Sequence, residues 1–105
     1  MIRLSVNLNK IALLRNSRHT GVPDLAPFVL MAQRAGAHGI TVHPRPDARH
    51  IRRSDVDHIA DLMAPYQPAF EYNIEGRPDP AFMDIVETIV PEQVTLVPDA
   101  PAAFT

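Results

Sequence analysis

GITVH, residues 39–43, sets three apolar or β-branched side chains in a row, Ile40, Thr41 and Val42, and ends on a histidine. A strand with one wet face alternates apolar and polar residues, whereas a continuous run suits a strand covered on both faces, as in a parallel sheet. The flanking segments agree. Upstream, Asp24 to Ala35 places Leu25, Phe28, Val29 and Ala32 at i, i+3, i+4 and i+7, one face of a helix. Gly36 follows as its C-cap, since glycine enters the left-handed region cheaply. Downstream, Ser54 to Met63 repeats the stripe with Val56, Ile59, Ala60 and Met63, with Ser54 as N-cap and Asp55 and Asp57 favouring the helix N-terminus.

Arg3 to Asn7 reads as a short strand ahead of these, and Ala69 to Ile74 as a third strand behind them. Asp79 and Pro80 suit an N-cap and first helical residue, and Phe82, Ile85, Val86 and Ile89 supply a third apolar stripe. Gln93 to Val97 closes the series as a fourth strand. The eleven prolines gather between these segments, at Pro44 and Pro46, Pro78 and Pro80, and Pro98 and Pro101 among others. The order β-α-β-α-β-α-β implies right-handed crossovers and a parallel α/β sheet. An open doubly wound sheet and part of a (β/α)₈ TIM barrel both fit. A barrel needs about 250 residues, and this sequence has 105. Both architectures stay open at this point, and four strands with two exposed edges lead to the expectation of a fragment of a longer protein.

Composition narrows the function. With 46% hydrophobic residues and a formal charge of −2, the chain has a core and no bulk charge that calls for nucleic acid or a membrane surface. It has no cysteine, hence no disulfide or thiolate ligand. No segment approaches the roughly 20 apolar residues of a membrane span, and the first residues lack signal-peptide character. A cytoplasmic protein is expected.

Chemistry in α/β folds collects at the carboxyl ends of strands. Asn7, Asn9 and Lys10 end the first strand. His43, Arg45, Arg49 and His50 follow the second, and the third carries Glu71, Asn73 and Glu75. A carboxylate within a strand is paired or faces a polar cavity, and Glu71 is taken as functional on that ground. The loop from Pro44 to Arg53 is either a solvated basic loop or a phosphate grip, because guanidinium groups match phosphate oxygens bidentately. His43, His50 and Glu71 are the rival metal set, but their spacing fits no compact motif and the nearby arginines would repel a cation. No metal ligand is assigned.

Four blocks carry a resemblance: SVNLNKIALLRNSR (5–18), AGAHGITVHPRPDARHIRRSDV (35–56), FEYNIEG (70–76) and QVTLVPD (93–99). They resemble the pyridoxine 5′-phosphate synthase family in the expected order along essentially the whole chain. The resemblance implies a (β/α)₈ TIM barrel, of which residues 1–105 are the N-terminal part with roughly the first four strands and three helices, that joins 1-deoxy-D-xylulose 5-phosphate to 3-amino-2-oxopropyl phosphate. The products are pyridoxine 5′-phosphate, phosphate and water. It further implies small phosphorylated substrates, no cofactor, and a homo-oligomer, typically an octamer. By position, it makes His43 and Glu71 the catalytic pair and Asn7 and Arg18 the binders of the amino-ketone phosphate. Asn9, Lys10, Arg45, His50 and Thr105 become contacts to the deoxyxylulose phosphate. Asn9-Lys10 resembles one branch of the family, another having Asp-His, and His19 stands where glycine is frequent. The family's later catalytic histidine and phosphate loops fall beyond residue 105, so this chain by itself is expected to be inactive. The alternative is a non-catalytic sugar-phosphate-binding half-barrel, or one part of a split enzyme.

Overall fold

The structure is a computed structural model that describes residues 2–98. Its centre is strand β2, Gly39–Val42, buried at all four positions as its unbroken apolar run requires. Strand β1, Ser5–Asn7, pairs with it on one side and β3, Glu71–Gly76, on the other; β4, Gln93–Leu96, pairs with β3. All pairings are parallel, with Asn7 level with Thr41, Thr41 with Asn73, and Glu75 with Thr95. The chain is thus an α/β protein with a four-stranded parallel sheet in sequential order.

The expected helices are α2, Ala26–Arg34, α3, Arg53–Met63, and α4, Pro80–Ile89. Helix α2 ends as its glycine requires: Gly36 has φ 89° and donates to the Gln33 carbonyl, while Ala37 N–H reaches back to that of Ala32. Helix α4 starts on Asp79, whose carboxylate accepts from Phe82 N–H at 2.8 Å. Helix α3 is capped two residues earlier than expected. Arg52, not Ser54, is its N-cap, and Asp55 accepts the Arg52 N–H at 2.8 Å.

A fourth helix, α1, Asn9–Asn16, was not expected from the apolar pattern. Only Ala12 and Arg15 of it are buried, too few for a legible stripe. Strand β3 also starts two residues later than expected. A 3₁₀ turn at Ala64–Tyr66 holds the preceding chain, with Phe70 N–H bonded to the Tyr66 carbonyl, so pairing with β2 begins only at Glu71.

The two faces of the sheet differ. Ile40, Val42, Tyr72 and Ile74 join Val29, Val56, Ile59 and Phe82 of the helices in one core. The buried Tyr72 hydroxyl donates to the Val56 carbonyl at 3.0 Å, tying β3 to α3. Burial, with the charges of Asp57 and Asp55 adding to it, raises this phenol far above its ordinary value, so it stays a donor. The other face carries a row of side-chain hydrogen bonds across all four strands. Ser5 and Thr41 hydroxyls meet at 2.6 Å, Asn73 donates to Thr41 at 3.3 Å, and Thr95 donates to Asn73 at 2.9 Å. The outermost strands leave Leu4, Val94 and Leu96 exposed. Among the described residues, no helix is long and apolar enough to cross a membrane.

Candidate functional site

The sheet's polar face ends, at the carboxyl side, in the residues that can do chemistry. The link from β1 to α1 is set by asparagines: Asn7 Oδ1 accepts from Asn9 N–H at 2.8 Å, and Asn9 Oδ1 accepts from His43 N–H at 2.8 Å. The second bond continues the β1–β2 ladder with a side chain in place of a carbonyl. It fixes the backbone of His43, which is 5% exposed.

His50 is 1% exposed and returns from the β2–α3 loop to lie beside His43, ring centroids 6.0 Å apart and tilted by 54°. Its Nδ1 accepts from Ile51 N–H at 2.8 Å, so the neutral ring carries its proton on Nε2. Asn7, Asn9, Lys10, Leu13 and His50 line a cleft of about 240 Å³. A second cleft of about 330 Å³ is lined by His43, Arg45, Arg53, Arg77, Asp79 and Phe82 among others. The imidazoles thus stand between two clefts that both carry cations.

The basic loop proves to be neither uniformly solvated nor uniformly an anion grip. Arg45 is buried, whereas Arg49 is engaged by Asp47 through Nε at 3.0 Å and Nη2 at 2.8 Å. Those hydrogen bonds, with the charges of Arg49 and Arg45, hold the Asp47 carboxyl at about 2. Arg53 pairs with Asp84 at 3.1 Å, joining α3 to α4, and this hydrogen bond raises its guanidinium pKa.

Of the residues picked out from sequence, Asn7, Asn9, Lys10 and His50 share one cleft, and His43 and Arg45 line its neighbour. Arg18 does not join them; it is exposed in the turn after α1. Thr105 lies outside the described residues.

Glu71 lies apart from these residues. As the first residue of β3 it pairs with Gly39, at the amino ends of the strands, and bonds Arg3 at 2.5 Å. Four residue steps along the strand separate it from Glu75, about 13 Å. One step past the Val42–Ile74 register, His43 comes level with Glu75. Glu75 has the same face of β3 as Asn73, by the two-residue period, and it lies near the carboxyl end of that strand. The signal was present in the sequence: Glu75 directly precedes the Gly76-Arg77-Pro78 turn, where a strand must end. The same displacement keeps Glu71 away from the two imidazoles, so the metal set considered above does not assemble. Among the described residues no group of three His, Asp or Glu is arranged to hold a metal.

These features define a parallel α/β protein that gathers imidazole, carboxylate and cationic groups at the carboxyl ends of its strands, the end where such folds place their sites. Residues 4–105 match the family described as Pyridoxal phosphate biosynthesis protein PdxJ, and the chain belongs to that family. It is 56% identical over 105 residues to a Porphyromonas gingivalis protein named pyridoxine 5′-phosphate synthase, covering 100% of this chain and 42% of that one. Proteins of the same name from Phocaeicola vulgatus (53% identity; 100% and 42% covered) and Rhizobium meliloti (55% identity; 98% and 41% covered) are similar to it as well. The chain spans 42% of the length of the first of these relatives.

Proposed function

We propose that this chain is the amino-terminal part of a pyridoxine 5′-phosphate synthase, which condenses 1-deoxy-D-xylulose 5-phosphate with 3-amino-2-oxopropyl phosphate. The observation that carries the reading is the meeting of Asn7, Asn9, Lys10 and His50 in one cleft beside His43, in a chain whose relatives bear that name. Imine formation, elimination and aldol-type closure all move protons at carbons next to carbonyls. His43 and Glu75, level at the mouth, are the groups for this work. Glu75 takes the part first assigned to Glu71. Lys10 brings a cation to the cleft that His50 also lines, for one substrate phosphate, and Arg45 stands at the second cleft. Holding two anions in adjoining clefts supplies proximity, which can be worth several powers of ten in rate.

The exposed strands β1 and β4 support completion by further strands into a (β/α)₈ barrel, because unpaired edges of a parallel sheet invite pairing. On this reading the 105-residue chain alone does not turn over, and the complete enzyme is a cytoplasmic homo-oligomer. The test is direct: the full-length protein is given both substrates, and pyridoxine 5′-phosphate and inorganic phosphate are measured. Equal amounts of the two are expected. Absence of both from folded protein would refute the reading.

A further inference from the structure

Arg15 is buried although the reaction gives it nothing to do. It sits on α1 with its side chain 9% exposed, facing Asp55 of α3 at 13%. The contact is bidentate, Nη1 to Oδ1 at 2.7 Å and Nη2 to Oδ2 at 2.8 Å. A charge pair so poorly hydrated is weak evidence for stability, since desolvation offsets most of the attraction. Its placement is more informative than its strength. Arg15 Nη2 also reaches the His50 carbonyl at 3.4 Å, and Nε holds Asn16 Oδ1 at 3.0 Å. Asn16 Nδ2 in turn donates to that same carbonyl at 2.8 Å and to the Arg49 carbonyl at 3.3 Å. Asp55 completes the frame by accepting the Arg52 N–H.

From these contacts we infer that the Arg15–Asp55 pair is a positioning device for His50, clamping the β2–α3 loop to α1 so that the imidazole is held in one orientation at the edge of the cleft of Asn9 and Lys10. Helix α1 is tied at both ends: Asn9 holds the backbone of His43, and Arg15 with Asn16 holds that of His50. The pair acts through His50 and touches no substrate. Lysine cannot substitute, because a point charge cannot bridge both carboxylate oxygens while bonding a carbonyl and an amide.

The inference rests on the proposed synthase activity for its kinetic part only. In full-length protein labelled with ¹⁵N-histidine, His50 should show the Nε2–H tautomer, and Arg15→Lys should abolish that single tautomer. The same variant should raise KM for 1-deoxy-D-xylulose 5-phosphate on the order of tenfold, the scale of one charge-assisted hydrogen bond, with kcat changed far less. A purely structural role would lower the melting temperature and leave both readouts alone; that result, in folded Arg15→Lys protein, overturns the proposal. If Arg15→Lys does not fold, Asn16→Ala, which removes one donor to the His50 carbonyl and the acceptor that holds Arg15 Nε, should show a smaller shift in the same two readouts. Unchanged readouts there overturn it equally. Wild-type protein without synthase activity but with the fixed tautomer would refute the function and leave the clamp standing.

Discussion

The two ends of the sheet use the same kinds of side chain to opposite effect. At the amino ends, Arg3 and Glu71 form an ion pair whose side chains are 60% and 31% exposed, next to His38, whose Nδ1 accepts the Leu4 N–H. At the carboxyl ends, Arg15 and Asp55 are nearly dry and tie a helix to the loop that carries His50. The exposed pair lies in high dielectric and links the segment before β1 to β3 across the amino end of β2, which already pairs with both strands. The buried pair connects parts of the chain with no backbone ladder between them. Chemical type alone therefore does not mark a functional charge; its position along the strand and its hydration do.

The sharpest way to break this comparison is to remove one carboxylate at each end. Glu75→Gln should lower kcat of the full-length enzyme by about 10²- to 10⁴-fold, the usual range for a general acid or base. Glu71→Gln should leave kcat within a small factor of wild type. Reversed effects in steady-state assays would return Glu71 to the site. Next in size is the core beneath the mouth. Ile59→Ala should cost about 2–5 kcal/mol in urea denaturation, because Ile59 is fully buried and leaves a cavity.

A third experiment uses pH. Burial works to raise the Asp55 carboxyl, but hydrogen bonds from Arg15 and from the Arg52 N–H, with the charges of both arginines, outweigh it and leave the pKa below the ordinary value. A carboxyl depressed by folding adds stability above its unfolded pKa of about 3.9 and loses it as pH falls through the folded value. Unfolding free energy should therefore fall with acidification below about pH 4, and Asp55→Asn should flatten that limb. An unaltered acid limb in the variant would contradict the assignment. The smallest effect is expected from Arg3→Ala, less than about 1 kcal/mol by the same denaturation assay and weaker still in high salt.

Much of this architecture was readable from residue order. The unbroken run Ile40-Thr41-Val42 implied a doubly covered strand, and Asp79-Pro80 marked a helix start that the structure reproduces. Two features were not readable by the same rules. Helix α1 carries a buried arginine where an apolar stripe would be sought, since its packing partners are a carboxylate and a carbonyl. In β3, Glu71, Asn73 and Glu75 share one face, so period alone cannot say which carboxylate reaches the mouth. Only the register against β2, set by where the chain leaves the Ala64–Tyr66 turn, decides between them.

Helix α1 also behaves as a ruler. From Asn9 to Asn16 it measures about 10 Å at 1.5 Å per residue, and that length is the interval between its moorings on the two histidine backbones. Inserting or deleting one residue there would turn the far end by about 100° as well as moving it. Substitutions along its exposed side should thus be far better tolerated in evolution than any change in its number of residues.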